Sequence, residues 1–156
     1  MRSKVFVYGA ASVLLIAANA FAAKLSSTDR LSKEIPLEVG GTLWVDNPIG
    51  NIEILGTDKP GLFVVASRTV NADDRTALAE GREQTVISFE GDRNVRFIRT
   101  IYPQTPGAAR WTSSVTYSIR VPRTVHIRVA AKLADRIRIT NIGGNVTVKS
   151  FMGAIT

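Results

Sequence analysis

His126 is the only histidine in the chain, so it is the first residue to consider for catalysis. The 156 residues include no cysteine. A cysteine nucleophile, a thiolate zinc site and a disulfide scaffold are therefore excluded, as is a multi-histidine metal centre. A catalytic His126 would need a nucleophile and an orienting carboxylate nearby, and no Gly-x-Ser-x-Gly motif is present. Because it stands between Val125 and Ile127, the sequence predicts an exposed strand histidine facing away from both.

Two groups of carboxylates could also carry chemistry. Asp46 and Glu53 flank a predicted turn, and across a hairpin they could approach the separation of about 5–10 Å that glycoside hydrolysis requires. No motif marks a cleft around them, so the prediction is a domain without catalytic activity or catalytic residues. Asp73 and Asp74 are interpreted as a helix cap, since a calcium site needs several more oxygen ligands. We expect no metal and no cofactor.

Basic side chains form the main polar trend, with 20 Lys and Arg against 13 Asp and Glu and a formal net charge of +7. Several alternate with apolar residues, so each faces away from the apolar side of its strand. If these strands lie side by side, the basic residues line one outer surface that could attract phosphorylated glycolipid or acidic envelope polymer. A merely solvated face is the alternative. The candidates for anionic-surface binding are Arg120, Arg128, Arg136 and Arg138.

Trp44 is out of phase with Leu43 and Val45, so it lies on the face opposite the expected core. It either packs under the loop over residues 103–110, as part of a second layer, or forms an exposed platform on which a sugar could stack.

The first 22 residues are typical of an export signal. Arg2 and Lys4 precede an apolar run from Val5 to Ala18, and Ala20-Phe21-Ala22 follows. This arrangement matches a secretory signal peptide, and the run is shorter than the roughly 20 residues that cross a bilayer. The sequence predicts an exported chain in the periplasm or at the surface of a bacterium. After cleavage it would not span the membrane, and it would have no nucleic-acid partner.

The elements that must position these side chains are strands, because apolar residues recur at every second position from Ile35 onward. Residues 23–34 lack this periodicity and are predicted to be a flexible leader, followed by a β-repeat domain over residues 35–156. Helical signal is confined to Thr76–Glu80, which Gly81 is expected to end. The predicted fold class is all-β, a β-solenoid-like or sandwich-like stack of short strands with at most one short helix.

An internal repeat gives this prediction its detail. Residues 43–54 (L-x-V-x-N-x-x-G-N-I-x-I) align without gaps on residues 137–148 (I-x-I-x-N-x-x-G-N-V-x-V), and a shorter third copy spans residues 148–155. Each unit is a strand, a corner and a strand. Glycine tolerates positive φ at the corner, and Asn or Ser bonds the backbone there. One unit cannot bury its apolar face alone, so copies must stack or pair. The predicted corner residues are Asn47, Gly50, Asn51, Asn141, Gly144, Asn145 and Gly153.

With these repeats, and with the strand patterns Ile35–Val39 and Ser118–Pro122, the chain resembles the bacterial DUF4097 family of candidate adhesins. The resemblance runs from about Ile35 to Thr156 and rests on strand-and-turn patterns. It implies an exported cell-envelope scaffold or interaction domain without established enzymatic chemistry. The partner would be an envelope polymer or another envelope protein. A polysaccharide-binding or polysaccharide-cleaving envelope protein is the alternative.

The third copy stops at Thr156, whereas proteins of this family continue through further Gly-x-Ile/Val units. An unpaired strand edge and an apolar face of Val146, Val148 and Ile155 would then lack a cap. The sequence therefore predicts a truncated chain, or a C-terminal edge that a partner covers, self-association included.

Overall fold

A computed structural model describes residues 24–103 and 110–156, which form one nine-stranded sheet and one helix. The all-β prediction with one short helix is confirmed. In the described residues, no helix has the length and apolar character needed to cross a bilayer. The expected signal peptide lies outside the described residues. In chain order the elements are β1 (Leu25–Ile35), β2 (Thr42–Ile49), β3 (Ile52–Thr57), β4 (Leu62–Ala72), α1 (Arg75–Gln84), β5 (Val86–Gly91), β6 (Val95–Ile101), β7 (Trp111–Pro122), β8 (His126–Thr140) and β9 (Val146–Ile155).

The long strand β8 organises the sheet. β2 and β3 lie end to end along one edge of β8, and β9 lies along its other edge, all of them parallel to it. β6 extends the sheet beyond β2, and β7 extends it beyond β3. The antiparallel strands follow, β5 beside β6, and β4 then β1 beside β7.

The sheet curls, and its strands form two walls. The first wall contains β5, β6, β2 and the first halves of β8 and β9. The second wall contains β1, β4, β7, β3 and the second halves of β8 and β9. Alternate residues of both walls meet in one core, where Leu43 and Ile127 of the first wall join Ile54 and Ile137 of the second, all fully buried. Burying each such side chain stabilises the fold by about 1.5–3 kcal/mol, and the residues between them face outward.

Two of the three sequence repeats stack in register. Val45, Val129 and Val148 are neighbours across the sheet, as are Ile52, Ile137 and Ile155. The first and third copies therefore occupy equivalent positions in the sheet, one on each side of β8.

The gapless alignment of residues 43–54 on residues 137–148 is not the stacking register, because Leu43 pairs with Ile127 rather than Ile137. β8 carries one more residue than β2–β3 between equivalent core positions, and a bulge between Leu133 and Arg136 accommodates it. The second copy therefore spans a different corner from the first.

The predicted corner residues lie in two kinds of turn. Asn47, Gly50, Asn51 and Gly153 occupy the bends between the walls, and Asn141, Gly144 and Asn145 form the turn from β8 to β9. Asn47 is fully buried, and its Nδ2 donates to the carbonyl oxygen of Val115 at 2.7 Å. Gly50 has φ +119°, and a Cβ there would lie 2.2 Å from the same oxygen. The bend therefore requires glycine on grounds of both conformation and space.

The flexible leader predicted over residues 23–34 is wrong for its described part, because Leu25–Ile35 forms β1, antiparallel to β4 over its whole length. The sequence pattern missed it because β1 is polar and only half-buried on its inward side. Backbone pairing and ion pairs hold the strand instead. Asp29 binds both Arg68, at 2.9 Å, and Arg82, at 2.8 Å.

The helix is longer than predicted. It runs from Arg75 to Gln84 through Gly81, and Asp74 rather than Asp73 caps it by accepting from the backbone N–H of Ala77 at 2.8 Å. Gly81 is buried, and a Cβ there would lie 2.8 Å from the Trp111 ring. The glycine thus serves helix–sheet contact instead of ending the helix.

Most residues of the C-terminal strand, β9, are exposed. β9 pairs only with β8 among the described residues. Val146 and Ile155 are 45% and 55% exposed, while Val148 packs against the core. Of the three residues expected to form an exposed apolar face, Val146 and Ile155 are exposed and Val148 is not. The covering of this edge by a partner stays a prediction.

Candidate functional site

The outer face of the first wall brings aromatic and basic side chains together on four neighbouring strands. The parallel register places one row across β6, β2, β8 and β9, consisting of Phe97, Trp44, Arg128 and Thr147. The next row, two residues further along, consists of Arg99, Asp46, Ala130 and Lys149. These side chains line a cleft of about 420 Å³, which we call the aromatic–basic cleft.

Trp44 is the centre of the cleft. Its ring is 5.7 Å from that of Phe97, centroid to centroid, with the planes tilted by 40°. The guanidinium of Arg128 lies 4.6 Å from the Trp44 ring centroid, and that of Arg99 lies 5.1 Å from the Phe97 ring. Cation–π contacts of this kind contribute about 0.5–1 kcal/mol each at exposed sites. They hold Arg128 over the Trp44 ring and Arg99 over the Phe97 ring, and Trp44 remains 39% exposed.

Both interpretations of Trp44 stay predictions, because the loop expected to cover it falls largely on residues 104–109, outside the described residues. Among the described residues, Arg128 lies over the Trp44 ring and Phe97 packs against it, and Trp44 lines the cleft.

The cleft exists because Ala130 has a small side chain between two longer neighbours, Asp46 and Lys149. Three cations and one carboxylate line it. In the described part of the chain, Arg128 and Lys149 form no ion pair, and Arg99 is 3.8 Å from Glu90. The net positive charge favours an anionic ligand, with an affinity that falls as salt rises.

Three of the four predicted arginines lie on the outer face of the second wall, Arg120 on β7 and Arg136 and Arg138 on β8. Arg136 and Arg138 line a depression of about 320 Å³ there. Arg128 lies on the first wall beside Trp44. The expectation of one basic face is therefore wrong for Arg128, because β8 passes from the first wall to the second between residues 128 and 138. The role of the four arginines in binding anions stays a prediction.

His126 forms a hydrogen bond with the turn between β8 and β9. It is half-buried, and its Nδ1 accepts from the backbone N–H of Asn145 at 2.9 Å, which ties β8 to the turn that leads into β9. The exposed histidine of the prediction is therefore partly covered. The contact orients the turn and leaves Nδ1 engaged.

The carboxylates Asp46 and Glu53 lie on different walls. Asp46 is opposite Ala130 and Glu53 is opposite Arg138, so they do not face each other across a hairpin. The hairpin geometry on which the hydrolysis alternative depended is therefore not present at these two residues. Among residues 24–103 and 110–156, no group of three or more His, Asp or Glu side chains could hold a metal ion.

Sequence reasoning missed Phe97, Arg99 and Lys149 as partners of Trp44. Phe97 and Arg99 alternate with the buried Ile98 and Thr100, which marks them as outward-facing. Their position beside Trp44 depends on the pairing of β6 with β2, about 50 residues apart in the chain, and no local pattern reveals that register.

Comparisons with known proteins leave the family open. No protein-family model and no curated protein matches the sequence. The chain is similar to a candidate cell adhesion protein from Clostridium sporogenes (TM-score 0.49, 10% identity, 80% of this chain and 57% of that chain). It is also similar to a candidate adhesin from Parabacteroides merdae (TM-score 0.39, 6% identity, 80% and 43%) and to a candidate lipid-binding protein from Parabacteroides distasonis (TM-score 0.31, 12% identity, 79% and 51%). The chain thus spans about half the length of these structures.

Proposed function

We propose that this chain is an exported, non-catalytic interaction domain of the bacterial cell envelope, adhesin-like in function and a member of the DUF4097 family. The aromatic–basic cleft carries the proposal. It combines a partly exposed Trp44, one carboxylate, Asp46, and two cations, Arg128 and Lys149, that form no ion pair within residues 24–103 and 110–156. Such a set can bind and orient a ligand through stacking and charge.

The scaffold suits recognition because the cleft is built on strands rather than on loops. Each of its rows crosses four hydrogen-bonded strands, and the inward neighbours of those residues are buried, as Val45 and Ile127 illustrate. Side chains on such strands keep their spacing, and a preorganised surface loses less entropy on binding. A rigid, ribbed outer face is the expected form of an envelope interaction module.

Export is the part of the proposal that rests on the sequence alone. The full chain, expressed in a bacterium and fractionated, is expected in the periplasmic or surface fraction with its N-terminus at Ala23. Mass spectrometry would show the loss of the first 22 residues. A cytoplasmic protein that keeps its initial residues would refute this part.

Binding is tested by co-sedimentation of the purified chain with isolated bacterial envelopes. Sedimentation is expected to weaken in a Trp44→Ala variant and to persist in Arg75→Ala, a control on the helix, which packs against the second wall. Failure of the native chain to sediment with envelopes would refute the proposed function.

A further inference from the structure

We infer that the aromatic–basic cleft binds a negatively charged sugar unit, with the sugar ring stacked on Trp44 and its carboxylate or phosphate held by Arg128 and Lys149. Binding of this kind rests on the proposed function and deepens it, since it names the class of envelope component recognised. Three features of the cleft point to such a ligand.

The first feature is the exposed aromatic surface. Trp44 is 39% exposed and lines the cleft, with Arg128 over its ring and Phe97 packed against it, so the part of the ring that these two leave exposed is what a ligand can contact. The face of an indole ring carries partial negative charge, and it attracts groups with partial positive charge while burying apolar surface. The C–H face of a pyranose ring supplies both properties. An exposed ring at a cleft wall is therefore suited to stacking on a sugar.

The second feature is the mixture of donors and acceptors around the ring. Arg128 and Lys149 provide charge-assisted donors for a carboxylate or phosphate, whereas Asp46 provides an acceptor for hydroxyl groups. A charged sugar carries an anion and hydroxyl donors on one rigid ring. It can therefore satisfy both kinds of group in the cleft at once.

The third feature is the limited extent of the positive surface. Arg128 lies on the first wall, and the bend in β8 separates it from Arg136 and Arg138 on the second. An anionic membrane would be attracted by a broad basic face, which this division does not provide. The cleft volume of about 420 Å³ lies within the range of roughly 300–1,000 Å³ of small-ligand sites. A single sugar unit of a longer polymer is the better match.

Isothermal titration calorimetry on the purified chain tests the inference with four probes. Tetragalacturonate carries carboxylates, and its fully methyl-esterified form keeps the rings without the charges. A phosphorylated mannose oligosaccharide supplies the phosphate, and phosphatidylglycerol vesicles supply an anionic membrane. At least one of the two charged sugars should bind, with affinity falling as ionic strength rises, and the methyl ester should bind about tenfold or more weakly.

Variants assign the binding to the cleft. Trp44→Ala and Arg128→Ala should each weaken the charged sugar by about tenfold. Trp44→Phe keeps a ring and should retain most of the affinity. Arg138→Ala removes an equal charge from the other wall and should change little. The urea midpoint of each variant checks that it folds. If Trp44→Ala does not fold, the affinity of Arg128→Gln, which lacks the charge, is compared with that of Arg128→Lys, which keeps it.

Binding of the carboxylated sugar, the phosphorylated sugar or both supports the inference and identifies the anion. Four results would overturn it: neither charged sugar binds, the methyl ester binds as tightly as tetragalacturonate, Arg138→Ala loses as much affinity as Arg128→Ala, or only the vesicles bind. If neither charged sugar binds while the chain still sediments with envelopes, the inference fails and the proposed function stands.

Discussion

Replacing Gly50 with alanine tests the bend between the two walls. The residue has φ +119°, and an added Cβ would lie 2.2 Å from the carbonyl oxygen of Val115. Both obstacles are backbone, so no flexible side chain can move aside. The disfavoured φ costs about 1–3 kcal/mol, and forcing the strands apart costs about 1–3 kcal/mol more. We expect a total loss of about 2–6 kcal/mol, a large part of the roughly 5–15 kcal/mol that stabilises a typical domain.

Gly40→Ala is the matched control, because Gly40 also has a positive φ, +76°, but a Cβ there would meet nothing within 4 Å. Its cost should be about 1 kcal/mol, from the backbone alone. Urea unfolding followed by far-UV circular dichroism measures both variants. At a slope of about 2 kcal/mol per molar urea, the expected difference of about 1–5 kcal/mol separates the two midpoints by roughly 0.5–2.5 M. Coincident midpoints would show that β7 does not press against the bend as described.

Three further outcomes are expected. Gly81→Ala should lower the unfolding free energy by about 1–3 kcal/mol through its clash with Trp111, even though alanine is the better helix former; a more stable variant would contradict the close helix–sheet contact. The hydrogen bond from Arg68 holds the pKa of Asp29 below its usual range, so this ion pair stabilises the fold above the unfolded pKa of about 3.9 and is lost as pH falls through the lower folded value. In Asp29→Asn the urea midpoint should therefore fall less steeply at acid pH than it does in the native chain, and an unchanged fall would count against the pairing. Limited proteolysis of dilute protein should cut the segment from Asn141 onward before the core, since β9 pairs on one edge only; equal resistance would be the opposite result.

The sequence predicts the strands whose inward faces are apolar. Leu43, Val45, Ile52 and Ile54 alternate visibly, and they lie in the core as expected. β1 escaped prediction because ion pairs and backbone pairing, rather than apolar alternation, hold Leu25–Ile35 in place.

The candidate site was only half visible in the sequence. Trp44 and Arg128 stand out because each is out of phase with buried neighbours. Their contact, however, arises from pairing between β2 and β8, and the residues involved are separated by most of the chain. Periodicity fixes which way a side chain faces, whereas its neighbours depend on strand register, which long-range packing determines.

The pairing of β2 and β3 with β8 has a consequence for how the chain folds. Thr42 of β2 pairs with His126 of β8, so β2 completes its pairing only with a strand more than 80 residues later in the chain. Closing so long a loop costs entropy before any contact compensates for it, and proteins dominated by distant pairings fold in about milliseconds to seconds. The slow phase of refolding should therefore report the docking of β8 onto an already formed β2–β3 edge, and the earliest species should expose that edge to solvent.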